Sequence, residues 1–92
     1  MNDIKKGEQK FYIGEDEQAP IAEITFKPKD NNTIIVDHTY VSEDLRGQGI
    51  AGQLVKSVTD YAREEGKKII PLCPYVESKM KHTKKYHDLL TK

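Results

Sequence analysis

A glycine-rich segment near the middle of the chain has the residue types that point most directly to chemistry. Gly47, Gly49 and Gly52 fall within six residues, just before a run with helical periodicity. The first N–H groups of a helix have no partner inside the helix, and with the positive end of the helix dipole they attract anions. Glycine lets phosphate oxygens approach the backbone and permits positive φ. The segment therefore predicts a phosphate-binding loop, although the glycines could also serve the turn alone.

Two nucleotide-binding motifs can be compared with this segment. Its spacing satisfies G-x-G-x-x-G, but the dinucleotide motif also needs an acidic residue at the end of the next strand, where Leu72–Pro74 stands. A Walker A motif needs Lys and then Ser or Thr after its last glycine, whereas Gln53 and Leu54 follow here. The sequence therefore argues against both kinds of nucleotide site.

Cys73 and His38 are candidates for catalysis. A thiolate can attack a thioester or respond to redox state, but a free cysteine is also often a buried packing residue. His38 shares a strand face with Ile34 and Val36 if the alternation is unbroken, so we expect it to be partly buried. It could act as a base for an amine or for the thiol, or be an ordinary core histidine.

Composition limits the partners and the compartment. The chain has 15 basic and 15 acidic residues and one cysteine, which favours a reducing, cytoplasmic compartment. The acidic residues concentrate in the first half and the basic residues in the second, so an anionic ligand would meet the second half first.

No apolar run is long enough to span a membrane, and the N-terminus does not resemble a secretory signal. No basic strand carries the aromatic residues that would bind nucleic acid. His82 and His87 have no cysteine or carboxylate at ligand spacing, so we expect no metal site.

The elements that must position these residues follow a β-β-β-α-β-α order. Alternating runs predict strands over Lys10–Gly14, Ala19–Lys27 and Thr33–Val41, the last covered on both faces because it has apolar residues on both. An apolar stripe predicts a helix from Ile50 that Gly66 ends. Strand Ile69–Cys73 and a weakly periodic helix over Tyr75–Lys92, which Thr83 could cap, complete the order. The sequence predicts one α/β (α+β) domain over residues 1–92, a monomer, with a mixed sheet in which a meander of three strands is joined by a parallel strand.

The glycine segment also resembles a family motif. Arg46-x-x-Gly49-x-Ala51 is similar to the Q/R-x-x-G-x-G/A motif of the GCN5-related N-acetyltransferases (GNAT superfamily), and Arg46–Ala51 and Pro71–Tyr75 resemble a subgroup of about 90 residues. The resemblance implies a minimal GNAT-like fold that binds acetyl-coenzyme A (acetyl-CoA) and transfers its acetyl group to an amine, either a small molecule or a protein. Because the chain lacks the N-terminal helical insert and the last strands that usually shape the acceptor pocket, a non-catalytic acetyl-CoA-binding or sensing module is the alternative.

The resemblance also implies site residues. The implied coenzyme-binding residues are Tyr40, Val41, Arg46, Gly47, Gln48, Gly49, Ile50, Ala51 and Gly52. In the family, the backbone at the positions of Tyr40 and Val41 pairs with the pantetheine arm. Tyr86 resembles the family tyrosine that protonates the departing thiolate, or is a packing aromatic, and it joins Cys73 and His38 as a candidate catalytic residue. The tail lysines Lys79, Lys81, Lys84 and Lys85 could meet the coenzyme's 3′-phosphate, or form a solvated surface.

Overall fold

The computed structural model describes residues 3–91, and a five-stranded mixed sheet lies at its centre. In spatial order the strands are β1 (Lys5–Gly7), β2 (Lys10–Ile13), β3 (Ala22–Asp30), β4 (Thr33–Val41) and β5 (Lys68–Pro71). The first four form an antiparallel meander, and β5 pairs parallel with β4, with Ile34 opposite Ile69. The predicted combination of a meander and a parallel strand is confirmed, with β1 as an additional strand.

The described residues form two α-helices and two 3₁₀ segments beside the sheet. They are a 3₁₀ segment over Glu43–Leu45, α1 (Ile50–Glu64), α2 (Pro74–Lys81) and a 3₁₀ segment over Lys84–Leu89. The predicted boundaries of α1 are confirmed: Gly49 precedes it, and Gly66, with φ of 68°, follows its end. The single C-terminal helix predicted over 75–92 is wrong, because α2 ends at Lys81 and the side chain of Thr83 makes no capping hydrogen bond. Lys92 lies outside the described residues.

One hydrophobic cluster joins the inner face of the sheet to α1, α2 and the second 3₁₀ segment. Its fully buried members include Ile24, Val36, Leu54, Ile69 and Met80. The prediction that β4 is covered on both faces is wrong, since its outer-face residue Ile35 and the paired Ile70 are only partly buried. Within residues 3–91, the helices cover the inner face and leave the outer face to solvent.

A β-bulge in β4 changes which side chains face the core. Val36 pairs with Phe26 and His38 pairs with Thr25, so Asp37 is an extra residue between two consecutive pairs. An extra residue shifts the alternation of the strand by one position. Thr39, opposite the fully buried Ile24, therefore faces inward, and His38 faces outward. The predicted common face of His38 with Ile34 and Val36 is wrong for this reason.

The remaining strand boundaries have simple physical causes. β3 runs through Pro28 instead of ending before it. The N–H of Phe26, two residues earlier in the strand, donates to the Gln9 carbonyl on the β2 side. The nitrogen of Pro28 lies on that same side, beyond the end of β2, where a missing N–H costs no ladder bond. β5 stops at Pro71, two residues earlier than predicted, and the C-terminal residues return to its outer edge: Leu90 forms a bridge with Ile69, and the N–H of Thr91 donates to the Ile69 carbonyl.

A charged cluster fixes the C-terminal segment. The Arg63 guanidinium donates to both carboxylate oxygens of Asp88 and to the Lys85 carbonyl. The hydrogen bond from Arg63 holds the pKa of the Asp88 carboxyl below its ordinary value. The cluster thus ties the second 3₁₀ segment to α1. Among the elements of residues 3–91, no helix has the length and apolar character required to cross a bilayer.

Candidate functional site

The glycine segment lines a pocket of about 240 Å³ at the start of α1. Most of the predicted coenzyme-binding residues line it, namely Val41, Arg46, Gly47, Gly49, Ile50, Ala51 and Gly52. Tyr40 and Gln48 do not line it: the Tyr40 ring is exposed, and the Gln48 amide donates to the Asp44 carbonyl at 3.3 Å. The pocket therefore joins the end of β4 to the first turn of α1.

The backbone of this segment requires glycine at two positions. Gly47 has φ of 82° and Gly49 has φ of 75°, in the left-handed region. A β-carbon added at either residue would meet no atom within 4 Å, so open space borders the backbone there. Directly after Gly49 come the first N–H groups of α1, which have no partner within the helix. A diphosphate group fits this arrangement, because its oxygens can approach bare backbone at the positive end of a helix.

Two cations border the same pocket. Arg46 lines it, and its Nε donates to the Val41 carbonyl at 3.2 Å, which fixes the guanidinium beside the end of β4. Lys79 reaches over from α2: a β-carbon added at Gly52 would lie 3.9 Å from its Nζ. Within residues 3–91, the Lys79 ammonium makes no ion pair with a carboxylate. Of the predicted tail lysines, Lys79 is the one whose ammonium lies beside the glycine segment, whereas Lys81 pairs with Glu77.

A gap separates β4 from the residues that follow β5. Their parallel register ends where Val36 pairs with Pro71, and the Val36 carbonyl then accepts from the N–H groups of both Leu72 and Cys73. Beyond this point β4 continues to Val41 with β3 as its strand partner among the described residues. The two strands therefore part after Pro71.

Cys73 lies at the inner end of this gap. It is the N-cap residue of α2 and is 9% exposed. Its Sγ lies 3.5 Å from Oγ1 of Thr39, a residue that the sequence did not single out because unbroken alternation would turn it away. Val41 and Tyr75, each two residues farther along the chain, line the pocket, whereas Thr39 and Cys73 themselves do not.

The structure separates His38 from Cys73. The side chain of His38 is 56% exposed, and its Nε2 lies 3.7 Å from Oε2 of Glu23 on the outer face. Thr39, the next residue, contacts Cys73 on the inner face, and successive strand residues point to opposite faces. The expectation that His38 is partly buried is therefore wrong, and within residues 3–91 its ring makes no hydrogen bond to the thiol.

Tyr86 is also away from the pocket. It is 5% exposed in the core cluster and is not among the residues that line the pocket. Tyr75, in the first turn of α2 and 42% exposed, is the tyrosine that lines the pocket. Its position two residues after Cys73, in the Pro-Leu-Cys-Pro-Tyr run, is the signal that could have identified it. Among residues 3–91, no three His, Cys, Asp or Glu side chains converge so that they could hold a metal ion.

Comparison with known proteins identifies the family that this chain resembles. A family model described as GCN5-related N-acetyl-transferase matches residues 10–89. No curated protein matches the sequence at a significant level. The solution NMR structure of a GCN5-like protein from Staphylococcus aureus is 45% identical, with a TM-score of 0.82, and the match covers 97% of this chain and 87% of that one.

Two larger structures carry ligands. A GNAT family N-acetyltransferase from Escherichia coli in complex with CoA is 28% identical with a TM-score of 0.62, over 76% of this chain and 43% of that one. A GNAT family acetyltransferase from Elizabethkingia anophelis with acetyl-CoA bound is 25% identical with a TM-score of 0.56, over 67% of this chain and 40% of that one. The chain thus spans less than half the length of these two proteins. The chain belongs to the GCN5-related N-acetyltransferase family.

Proposed function

We propose that this chain binds acetyl-CoA in the glycine pocket and transfers the acetyl group to an amine. The observation that carries the proposal is that one pocket combines bare glycine backbone at the start of α1 with the end of β4, beside the gap that leads to Cys73. Acetyl-CoA has matching parts in the same order: a diphosphate, an extended pantetheine arm and a thioester. The complexes of the larger relatives with CoA and acetyl-CoA support this choice of ligand.

In this proposal different groups of the protein bind different parts of acetyl-CoA. The N–H groups that follow Gly49 receive the diphosphate, and Arg46 and Lys79 add positive charge from two sides. The backbone of Tyr40 and Val41, beyond the last pair with β5, receives the pantetheine arm as a strand would. Tyr75 lines the pocket on the side of α2.

Two routes to the amine are chemically open. In the direct route the amine attacks the acetyl carbon, and a donor such as the Tyr75 hydroxyl protonates the departing coenzyme sulfur. In the route through Cys73, its sulfur forms the bond to the acetyl carbon while the carbon–sulfur bond to the coenzyme breaks, and the thiol proton ends on the coenzyme sulfur. The amine then attacks the Cys73 thioester, forms the amide and returns a proton to the cysteine sulfur.

The route through Cys73 has the more specific structural support. The sulfur lies at the inner end of the gap, at the N-terminus of α2, and contacts a hydroxyl. His38 lies on the other face of the sheet, so this proposal gives it no part in activating the thiol.

Two measurements test the proposal. Titration with acetyl-CoA, followed by amide chemical shifts, should move the amides of residues 40–41 and 46–52 more than those of the lysine-rich residues 79–85. Mass spectrometry after incubation with acetyl-CoA should detect one acetyl group on Cys73, absent in Cys73→Ala. Shifts confined to residues 79–85 would contradict the binding site, and adducts on lysines alone would contradict the cysteine route.

A non-catalytic acetyl-CoA-binding module is the second candidate. The observation that favours it is that Cys73, His38 and Tyr86 are absent from the lining of the glycine pocket. Release of free CoA from acetyl-CoA, measured with and without a panel of primary amines, separates the two candidates. Acceleration by amines supports transfer, whereas tight binding without release under any condition supports the binding module.

A further inference from the structure

Thr39 and Cys73 are brought together by the bulge in β4. In an unbroken strand Thr39 would share the outer face with Ile35, but the extra residue Asp37 turns it inward. The thiol of Cys73 then donates to Oγ1 of Thr39 across 3.5 Å, in a partly buried position. The contact links two elements that are far apart in sequence, β4 and the start of α2.

The hydroxyl of Thr39 differs from that of an ordinary buried threonine. Thr59, which is 1% exposed, directs its hydroxyl to the Lys56 carbonyl within its own helix. That is the usual way in which a threonine hydroxyl is satisfied in a core. Within residues 3–91, the side-chain hydrogen bond of Thr39 is instead to the thiol. Valine would fill the same volume, so packing alone does not require a hydroxyl at this position.

We propose that Thr39 is a positioning residue for Cys73, and this inference rests on the proposed acetyl transfer through that cysteine. A hydroxyl can both accept and donate a hydrogen bond. The Thr39 hydroxyl accepts the hydrogen bond from the S–H group while the thiol is intact, and it rotates to donate a hydrogen bond to the sulfur once the thiol has lost its proton. In the transfer step the sulfur–acetyl bond forms, the acetyl–coenzyme bond breaks, and the proton passes to the coenzyme sulfur. Thr39 is unchanged at the end of the step.

The hydroxyl also fixes the direction of the sulfur. Val41 and Tyr75 border the pocket, and each lies two residues beyond one partner of the Thr39–Cys73 contact. A sulfur held against Thr39 therefore stays beside β4, where the gap opens, and does not turn toward the other members of the core cluster. A side chain without a hydroxyl would leave the sulfur free to adopt that buried orientation.

The test is the reactivity of Cys73 in the protein without coenzyme. The rate of alkylation by iodoacetamide is measured at one pH for the wild type, Thr39→Val, Thr39→Ser and the control Thr25→Val. Thr25 is on the neighbouring strand, on the outer face, where its hydroxyl donates to Asp37 at 2.7 Å. We expect Thr39→Val to react about tenfold more slowly, because a hydrogen bond to a charged sulfur is lost. Thr39→Ser and Thr25→Val should react within about twofold of the wild type.

Two results would overturn the inference: equal rates in the wild type and Thr39→Val, or equal slowing in Thr39→Ser and Thr39→Val. Thermal unfolding verifies that each variant is folded, and Thr39→Ala replaces Thr39→Val if the latter is not. A second readout is the formation of the acetyl adduct on Cys73. If the wild type forms no adduct but the alkylation rates differ as expected, the proposed transfer fails and the function of Thr39 in orienting the thiol stands.

Discussion

Nε2 of His38 lies 3.7 Å from Oε2 of Glu23, on the face of the sheet opposite to Cys73. The neighbouring Thr39 occupies the position beside the sulfur that a catalytic histidine would need. The contributions of His38 and Thr39 can therefore be separated by mutation, although the two residues are adjacent in sequence.

We expect His38→Gln to leave the reactivity of Cys73 unchanged. The imidazole is exposed on the outer face and cannot reach the sulfur through the sheet. Alkylation of Cys73 by iodoacetamide and the rate of acetylation by acetyl-CoA should both stay within about twofold of the wild type. Slowing of either reaction as large as that in Thr39→Val would contradict the separation.

Gly49 and Gly66 form a matched pair for testing the phosphate site. Both have positive φ, and a β-carbon added at either meets no atom within 4 Å. Alanine at each should cost similar stability, about 1–2 kcal/mol, from the left-handed backbone. Only Gly49→Ala adds a side chain at the pocket, so only it should weaken acetyl-CoA binding, by about three- to tenfold in calorimetry. Equal affinities in the two folded variants would mean that Gly49 serves the turn alone.

Lys79 should contribute to affinity through the charged end of the ligand. Lys79→Gln removes the ammonium beside Gly52 and should raise Kd for acetyl-CoA by roughly two- to fivefold, the range for an exposed charge pair. The control is Lys84→Gln, which removes the same charge from the second 3₁₀ segment. The difference between the variants should disappear with S-acetylpantetheine, which has no diphosphate. A persistent difference with that ligand would indicate that Lys79 acts on the arm or on the fold.

Asp88 should make stability depend on pH in the acidic range. Its folded-state pKa is lowered from the ordinary 3.8 chiefly by the hydrogen bond from Arg63. Its stabilising effect is therefore complete above the unfolded-state value and is lost as the pH falls through the lower folded-state value. Thermal unfolding should find Asp88→Asn less stable than the wild type at pH 7, and this difference should shrink below about pH 4.

Glu64→Gln is the control for that measurement, since Glu64 forms no ion pair within residues 3–91. It should follow the wild type across the whole pH range. A difference between Asp88→Asn and the wild type that stayed constant down to pH 2 would contradict the assignment of the effect to this carboxylate. Acetyl-CoA affinity at pH 7 should be the same in both variants, because the Arg63–Asp88 pair lies outside the pocket.

Much of the sheet and the glycine segment could be predicted from sequence because their signals are local. The alternation of Thr33–Val41 and the spacing of apolar residues from Ile50 reflect two different periodicities, and each coincides with an element of the structure. Glycine before and after α1 marks backbone that other residues adopt only under strain. β1 was not predicted, because three residues are too few to display a period and depend on pairing with β2.

The arrangement around Cys73 could not be predicted because it depends on long-range contacts. Inserting Asp37 into the register moves His38 and Thr39 to opposite faces, and sequence periodicity does not indicate where a bulge lies. Tyr86 was a candidate catalytic residue, but it lies in the core, in the 3₁₀ segment that follows the end of α2. Tyr75, which the sequence did not single out, lines the pocket instead.

The two outer edges of the sheet have a consequence for self-association. β1 is only three residues long and carries Lys5 and Lys6, and on the opposite side the backbone around Leu90 occupies the edge of β5. Short charged strands and covered edges are devices by which sheet proteins resist the addition of a foreign strand and the growth of aggregates. The part of β4 beyond Val36 has no partner in β5, and it lies inside the sheet, away from these two edges. A foreign strand reaches an open edge more easily than backbone inside the sheet, so a ligand that pairs at this inner position need not expose the protein to aggregation.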